Sequence, residues 1–154
     1  MATKSDGEKL IASNKKAHHD YFVLQKLEAG IELTGTEVKS LRDGKANLKD
    51  SYVIVKGDQA YLLAAHISPY SHGNLQNHDP ERQRRLLLHK REIEKLHVQI
   101  VEKGLTIVPL RLYFKKGRVK VEIAVVRGKK QYDKRETEKR READREAAAA
   151  MKIR

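Results

Sequence analysis

Histidines and carboxylates are the first residues in this sequence that could do chemistry. Seven histidines and 21 acidic residues are present, and the absence of cysteine excludes disulfides and thiolate zinc sites. His18 and His19 are adjacent, whereas His72, His78, His89 and His97 fall in separate segments. No H-E-x-x-H or similarly compact spacing occurs, which favours surface or hydrogen-bonding histidines over metal ligands. A divalent-metal nuclease needs clustered carboxylates, and Asp20, Asp50 and Asp79 are dispersed along the chain. Ser40, Ser51, Ser68 and Ser71 lack a nucleophile context, and neither a Walker loop nor G-x-G-x-x-G is present. Catalysis is therefore not expected, nor is a metal or a cofactor.

The groups suited to phosphate are gathered instead. "NKKAHHDYF" sets Asn14, Lys15 and Lys16 ahead of a strand, and "GTEVKSLRDGKANL" collects Lys39, Arg42, Lys45 and Lys49. "DPERQRRLLLHKR" joins Arg82, Arg84 and Arg85 to three consecutive leucines. Any one cluster alone reads as a solvated charged face, but three on one small domain favour a continuous phosphate-tracking surface. Leu86 to Leu88 cannot all point inward in a strand or a helix, so at least one is expected to be exposed and could pack against an unstacked base. Glu28 in "LEAGIEL" reads either as a turn carboxylate beside Gly30 or as an acceptor for a base edge or sugar hydroxyl.

The whole composition agrees with a polyanionic partner. Net charge is +12 with a pI near 9.9, in 154 residues that suit one domain. Arg127–Arg154 holds 11 of the 33 basic residues against 6 of the 21 acidic ones, far above its share of positive charge. With no Trp and two Phe, a wide aromatic stacking platform is not expected. No run of about 18 apolar residues occurs and the first residues lack a signal-peptide core, so a soluble, cytoplasmic protein is expected.

The elements that must position these residues are mostly strands. Residues 1–13 read as a mobile arm, 14–127 as the folded unit and 128–154 as a basic tail. "HDYFVLQKLEAGIEL" reads as a strand that turns at "EAG" into a second one, and "TGTEVKSLRDG" as a short helix capped by Thr36 and ended by Gly44. Hairpins turn at Gly57-Asp58 and Lys116-Gly117, with Val119, Val121, Ile123 and Val125 on one face and Lys120 and Glu122 on the other. Pro109 predicts an edge position or a bulge. A helix is expected from Lys90 to Lys103, its stripe formed by Ile93, Leu96, Ile100 and Val101. Short strands with one inserted helix predict a mainly β fold, an OB-like antiparallel barrel, closed or nearly so. The tail is rich in helix formers but has no apolar stripe, so it is expected to be disordered until an anionic surface orders it.

The segments "NKKAHHDYF", "EAGIELTGTEVKSLRDGKANLKDSY", "HISPYSHGNLQNHDPERQRRLLLHKREI" and "GKKQYDKR" together resemble the SsrA-binding protein (small protein B) family, from about Ile11 to Arg135. The resemblance implies an OB-like barrel that binds the tRNA-like domain of transfer-messenger RNA. With elongation factor Tu and GTP, that complex enters stalled ribosomes, and trans-translation tags the incomplete polypeptide. It implies RNA-holding roles for Asn14, Glu28 and Leu87, and a tail that turns helical in the vacant mRNA channel. Gly128, Lys129, Lys130, Tyr132, Asp133, Lys134 and Arg135 match the tail motif, and Met151 with Lys152 a hydrophobic-basic element near its end. A monomer without membrane contact is expected. A structural ribosomal protein or a metal-dependent ribonuclease are the readings from other classes.

Overall fold

The computed structural model describes residues 7–70, 77–129 and 131–152. In chain order the elements are β1 (Glu8–Ser13), α1 (Lys15–Asp20), β2 (Tyr21–Ile31), α2 (Gly35–Arg42), β3 (Ala46–Asn47), β4 (Tyr52–Lys56) and β5 (Gln59–Leu63). Then follow β6 (His66–Ile67), β7 (Arg84–Leu87), α3 (Lys90–Val101), β8 (Thr106–Lys115), β9 (Arg118–Gly128) and α4 (Gln131–Lys152).

Seven strands form one antiparallel sheet in the order β1-β8-β9-β2-β7-β5-β4, and β3 pairs with β6 apart from it. The curl of the sheet carries β4 against β8, but no ladder among the described residues joins edge β4 to edge β1. The expected barrel is therefore an open, strongly curled sheet. Both predicted hairpins are present, β4–β5 and β8–β9. Val119, Val121, Ile123 and Val125 do share the inner face and enter the main core with Leu62, Leu86, Ile107 and Leu112.

Two bulges decide which side chains face out. In β2 the register shifts between Val23 and Gln25, so Tyr21 and Val23 lie on the outer face while Leu27, Ala29 and Ile31 lie on the inner one. The predicted turn at "EAG" is absent, since pairing with β9 continues from Tyr21 to Gly30. In β8 the shift falls between Pro109 and Arg111, which satisfies the bulge expectation in a strand that is paired on both sides. The outer residues Val108, Leu110, Ala124 and Val126 are covered by Ala17 of α1. This small second core fixes α1 on the outside of the sheet.

The N-terminal boundary differs from the sequence expectation. Glu8–Ser13, expected within the mobile arm, is an edge strand on β8. Pairing with a ready-made strand edge needs backbone groups only, so its modest side chains gave little sign of it. Residues 1–6 lie outside the described residues. The tail forms the helix α4, and its first turns have a hold on α1 that the lack of an apolar stripe did not suggest. No described helix is long and apolar enough to cross a membrane.

Candidate nucleic-acid interface

The second half of β2 places Glu28 and Gly30 on the outer face, opposite Glu122 and Lys120 of β9. Gly30 also faces Leu87 of β7, and a Cβ on Gly30 would come within 3.1 Å of the Leu87 Cβ. The missing side chain lets Leu87 lie over the strand with its end in solvent. Leu87 is 48% exposed, Leu86 is buried and Leu88 packs half-buried on the core, as three consecutive leucines required. Glu28, Arg85, Leu87 and Lys120 line one depression around Gly30. A neighbouring depression shares Leu87 and Lys120 and extends to Arg118 and to Val38 of α2. Lys39 and Arg42 are exposed on that helix, with the Lys39 ammonium 5.6 Å from the centre of the Tyr70 ring.

Glu28 is held from behind. The buried Tyr113 donates its hydroxyl proton to Glu28 Oε2 at 2.5 Å, and Lys115 Nζ reaches the same oxygen at 3.3 Å. The Tyr113 hydrogen bond keeps the carboxyl below the usual range against the opposing effect of partial burial, and Lys115 adds to it. Glu122, directly across the ladder, is drawn off by Arg111 at 3.4 Å, and that guanidinium stacks 4.4 Å from the centre of the Tyr113 ring. Two like charges thus sit side by side, each with its own cationic or hydroxyl partner. Arg85 forms a surface ion pair with Glu32 at the rim.

The cluster at α1 is built differently. Asn14 is buried and caps α1, its Oδ1 accepting from Ala17 N at 3.1 Å. Its amide nitrogen donates to Leu48 O at 3.2 Å and Pro109 O at 2.9 Å. Asn14 therefore positions α1, with its amide donors used within the fold. Lys15 is exposed beside it, and Lys16 pairs with Asp50 at 2.6 Å. Asp20 and Asp50 line a pocket here with Lys16, Tyr21 and Tyr52, whereas Asp79 lies on the loop before β7. The described residues contain no group of three His, Asp or Glu able to hold a metal.

Arg84 was expected on the RNA surface and is instead fully buried. Its Nε donates to Glu37 Oε2 at 2.6 Å, Nη1 to Ala65 O at 2.9 Å and Nη2 to Pro80 O at 3.1 Å. The strand period explains the error: Arg84 and Leu86 point inward, Arg85 and Leu87 outward. Glu37 is buried too, and takes Arg82 and the Thr34 backbone N–H on its other oxygen. Burial alone would raise its pKa, but Arg82, Thr34 and Arg84 together pull it down to about 2. Thr34, not Thr36, thus begins α2; the Thr36 hydroxyl meets His78 Nδ1 at 2.8 Å, and His78 Nε2 donates to Ile67 O at 2.8 Å. The motif "NHDP" anchors a loop.

The tail leaves from the α1 end of β2. Lys129 N donates to Asp20 O at 2.8 Å, Lys134 Nζ lies 3.6 Å from Asp20 Oδ1, and His19 Nε2 meets Glu138 Oε1 at 2.7 Å. Gly128 and Arg135 are exposed. Lys130 and the side chains of Tyr132, Asp133, Met151 and Lys152 lie outside the described residues. The structure therefore unites Glu28, Arg85 and Leu87, places Lys39 and Arg42 on the helix whose Val38 lines the neighbouring depression, and sets Asn14, Lys15, Lys16 and the described start of the tail at the α1 end of β2. Sequence reasoning missed Tyr113 and Gly30 as shapers of the site and Lys120 as part of it. The alternation through "RVKVEIAVV" does put Lys120 outward, and was the one available signal.

Comparison with known proteins supplies the family. The sequence profile described as SmpB protein matches residues 11–153. The SsrA-binding protein of Geotalea uraniireducens (strain Rf4) is 60% identical over 147 residues, covering 96% of this chain and 97% of its own. That of Geobacter sulfurreducens is 57% identical over 146 residues, covering 95% of each. A solved structure from the work "tmRNA-SmpB: a journey to the center of the bacterial ribosome" superimposes with a TM-score of 0.67. It is 44% identical and covers 81% of this chain and 92% of that one. The profile spans nearly the whole chain, the relatives match from end to end, and the fold agrees: this chain belongs to the SmpB family.

Proposed function

We propose that this chain binds the tRNA-like domain of transfer-messenger RNA and delivers it to stalled ribosomes for trans-translation. The observation that carries the reading is the joining of Glu28 and Leu87, from separate strands, in one outward depression rimmed by Arg85 and Lys120. A fixed acceptor, an apolar side chain and basic neighbours are what an unstacked, splayed nucleotide needs: a donor edge is read, a base face is covered and phosphates are neutralised. The relatives are SsrA-binding proteins, and the solved one is described with transfer-messenger RNA and the ribosome. Lys15, Lys16, Lys39 and Arg42 extend the phosphate-facing surface, and Asn14 acts by holding α1.

The tail, from Gly128 through Lys129, Lys130, Tyr132, Asp133, Lys134 and Arg135 to Met151 and Lys152, engages ribosomal RNA in the vacant mRNA channel. Elongation factor Tu with GTP is reached through the RNA. The chain acts as a monomer in the cytoplasm without catalysis of its own.

Sequencing the RNA that co-purifies with the full chain from cells tests this. One dominant RNA with a tRNA-like end is expected. Ribosomal RNA alone, in proportion to all ribosomes, would overturn the reading in favour of a structural ribosomal protein.

A further inference from the structure

Glu28 poses a physical problem for a surface that binds a polyanion. An exposed glutamate repels phosphates, and its long side chain loses rotamer freedom when a ligand fixes it. The structure answers both difficulties from β8, which lies one strand beyond β9 in the sheet. Tyr113 is 1% exposed, yet its hydroxyl points outward to Glu28 Oε2. Lys115 Nζ approaches the same oxygen, and no donor among the described residues hydrogen-bonds Oε1. Glu122, the like charge across the ladder, is occupied by Arg111, whose guanidinium lies over the Tyr113 ring.

We infer that Tyr113 is a positioning residue for RNA recognition, locking the Glu28 carboxylate through Oε2 so that Oε1 stands ready for a hydrogen-bond donor of the RNA. This rests on the reading of Glu28 as an RNA contact. The ligand group is an N–H of a base edge or a sugar hydroxyl, since a phosphate oxygen offers no proton. The preset acceptor selects against a phosphate at that point, while Lys115 and Lys120 limit the repulsion of phosphates nearby. Tyr113 itself does not touch the RNA, because Glu28 and Arg111 cover its outward side.

The test uses the full chain and a transcript of the tRNA-like domain of transfer-messenger RNA, in filter binding at one fixed salt concentration. Glu28→Gln should weaken binding by about tenfold or more, the loss of a charge-assisted hydrogen bond. Tyr113→Phe, which removes only the hydroxyl, should weaken it about three- to tenfold. The double variant should bind no worse than Glu28→Gln alone, because Tyr113 acts only through Glu28. Wild-type affinity for Glu28→Gln overturns the reading of Glu28 as a contact, and the role of Tyr113 with it. Weakened Glu28→Gln with normal Tyr113→Phe, or additive losses in the double variant, overturns the role of Tyr113 alone.

Carboxyl carbon NMR of the unaltered protein gives a readout that does not depend on how well the variants fold. The groups around the Glu28 carboxylate are Tyr113 and Lys115 on β8, Lys120 and Glu122 on β9, and Arg85 of β7 with His89 and Glu92 at the start of α3 across the depression. Glu28 should titrate below the ordinary glutamate range, and Tyr113→Phe should move its midpoint upward. An ordinary midpoint in the unaltered protein contradicts the lock.

Discussion

Arg84 and Glu37 define what a single residue can mean in this molecule. Both side chains are 0% exposed, and the pair ties α2, β7 and the loop at Pro80 into one unit. Removing one partner leaves a buried charge without compensation, so Glu37→Gln should destabilise the fold by about 3–5 kcal/mol in denaturant unfolding. The same carboxyl makes stability depend on acid. Its folded pKa of about 2 lies below the ordinary value of 4.5, so its contribution is complete above that ordinary value and is lost as pH falls toward 2. Urea midpoints measured across that interval should fall with pH, and less steeply in Glu37→Gln. Asn14→Ala removes a cap and two buried hydrogen bonds and should cost about 2–4 kcal/mol, with RNA affinity falling through displacement of α1. Residue type alone disclosed none of this burial: an Arg beside another Arg and an Asn beside two lysines look like surface chemistry until the strand period and the cap are fixed.

At the scale of elements, periodicity was readable and exceptions to it were not. The alternation through β9, the turns at Gly57 and Lys116, and α3 are legible because each is a local pattern. Lys90–Val101 ends two residues short of the expected helix. The bulge at Leu24 is invisible to alternation, because it exchanges the two faces of β2 midway and needs β9 to define it. The hold of α4 on α1 is likewise a meeting of residues far apart in sequence. His19 lies between Asp20 and Glu138, and the hydrogen bonds to Asp20 first and Glu138 second raise its pKa. A raised pKa means that the docked contact is complete below the ordinary histidine value and lost as pH rises through the higher folded one. Amide exchange in the first turns of α4 should therefore accelerate, beyond the intrinsic pH effect, as His19 loses its proton. His19→Gln should remove that pH dependence. An α4 equally protected on both sides of the His19 titration would contradict the latch.

The molecule as a whole divides into a folded body that carries the Glu28–Leu87 depression and a charged helix that starts beside α1. Ending the chain after Arg135 separates the two with little electrostatic disturbance. Residues 136–154 hold six basic and five acidic side chains, so the net charge falls only from +12 to +11. General attraction to RNA should hardly change. The depression is lined by β2, β5, β7, β9 and the start of α3, none of which the truncation touches. The most direct measurement compares this truncated chain with the full one in two assays: affinity for the tRNA-like domain of transfer-messenger RNA, and peptide tagging on stalled ribosomes. The predicted result is an affinity within about threefold of the full chain, less than 1 kcal/mol, together with collapse of tagging. Wild-type tagging by the truncated chain, or loss of RNA binding in step with the tail, would contradict the division of labour on which this account rests.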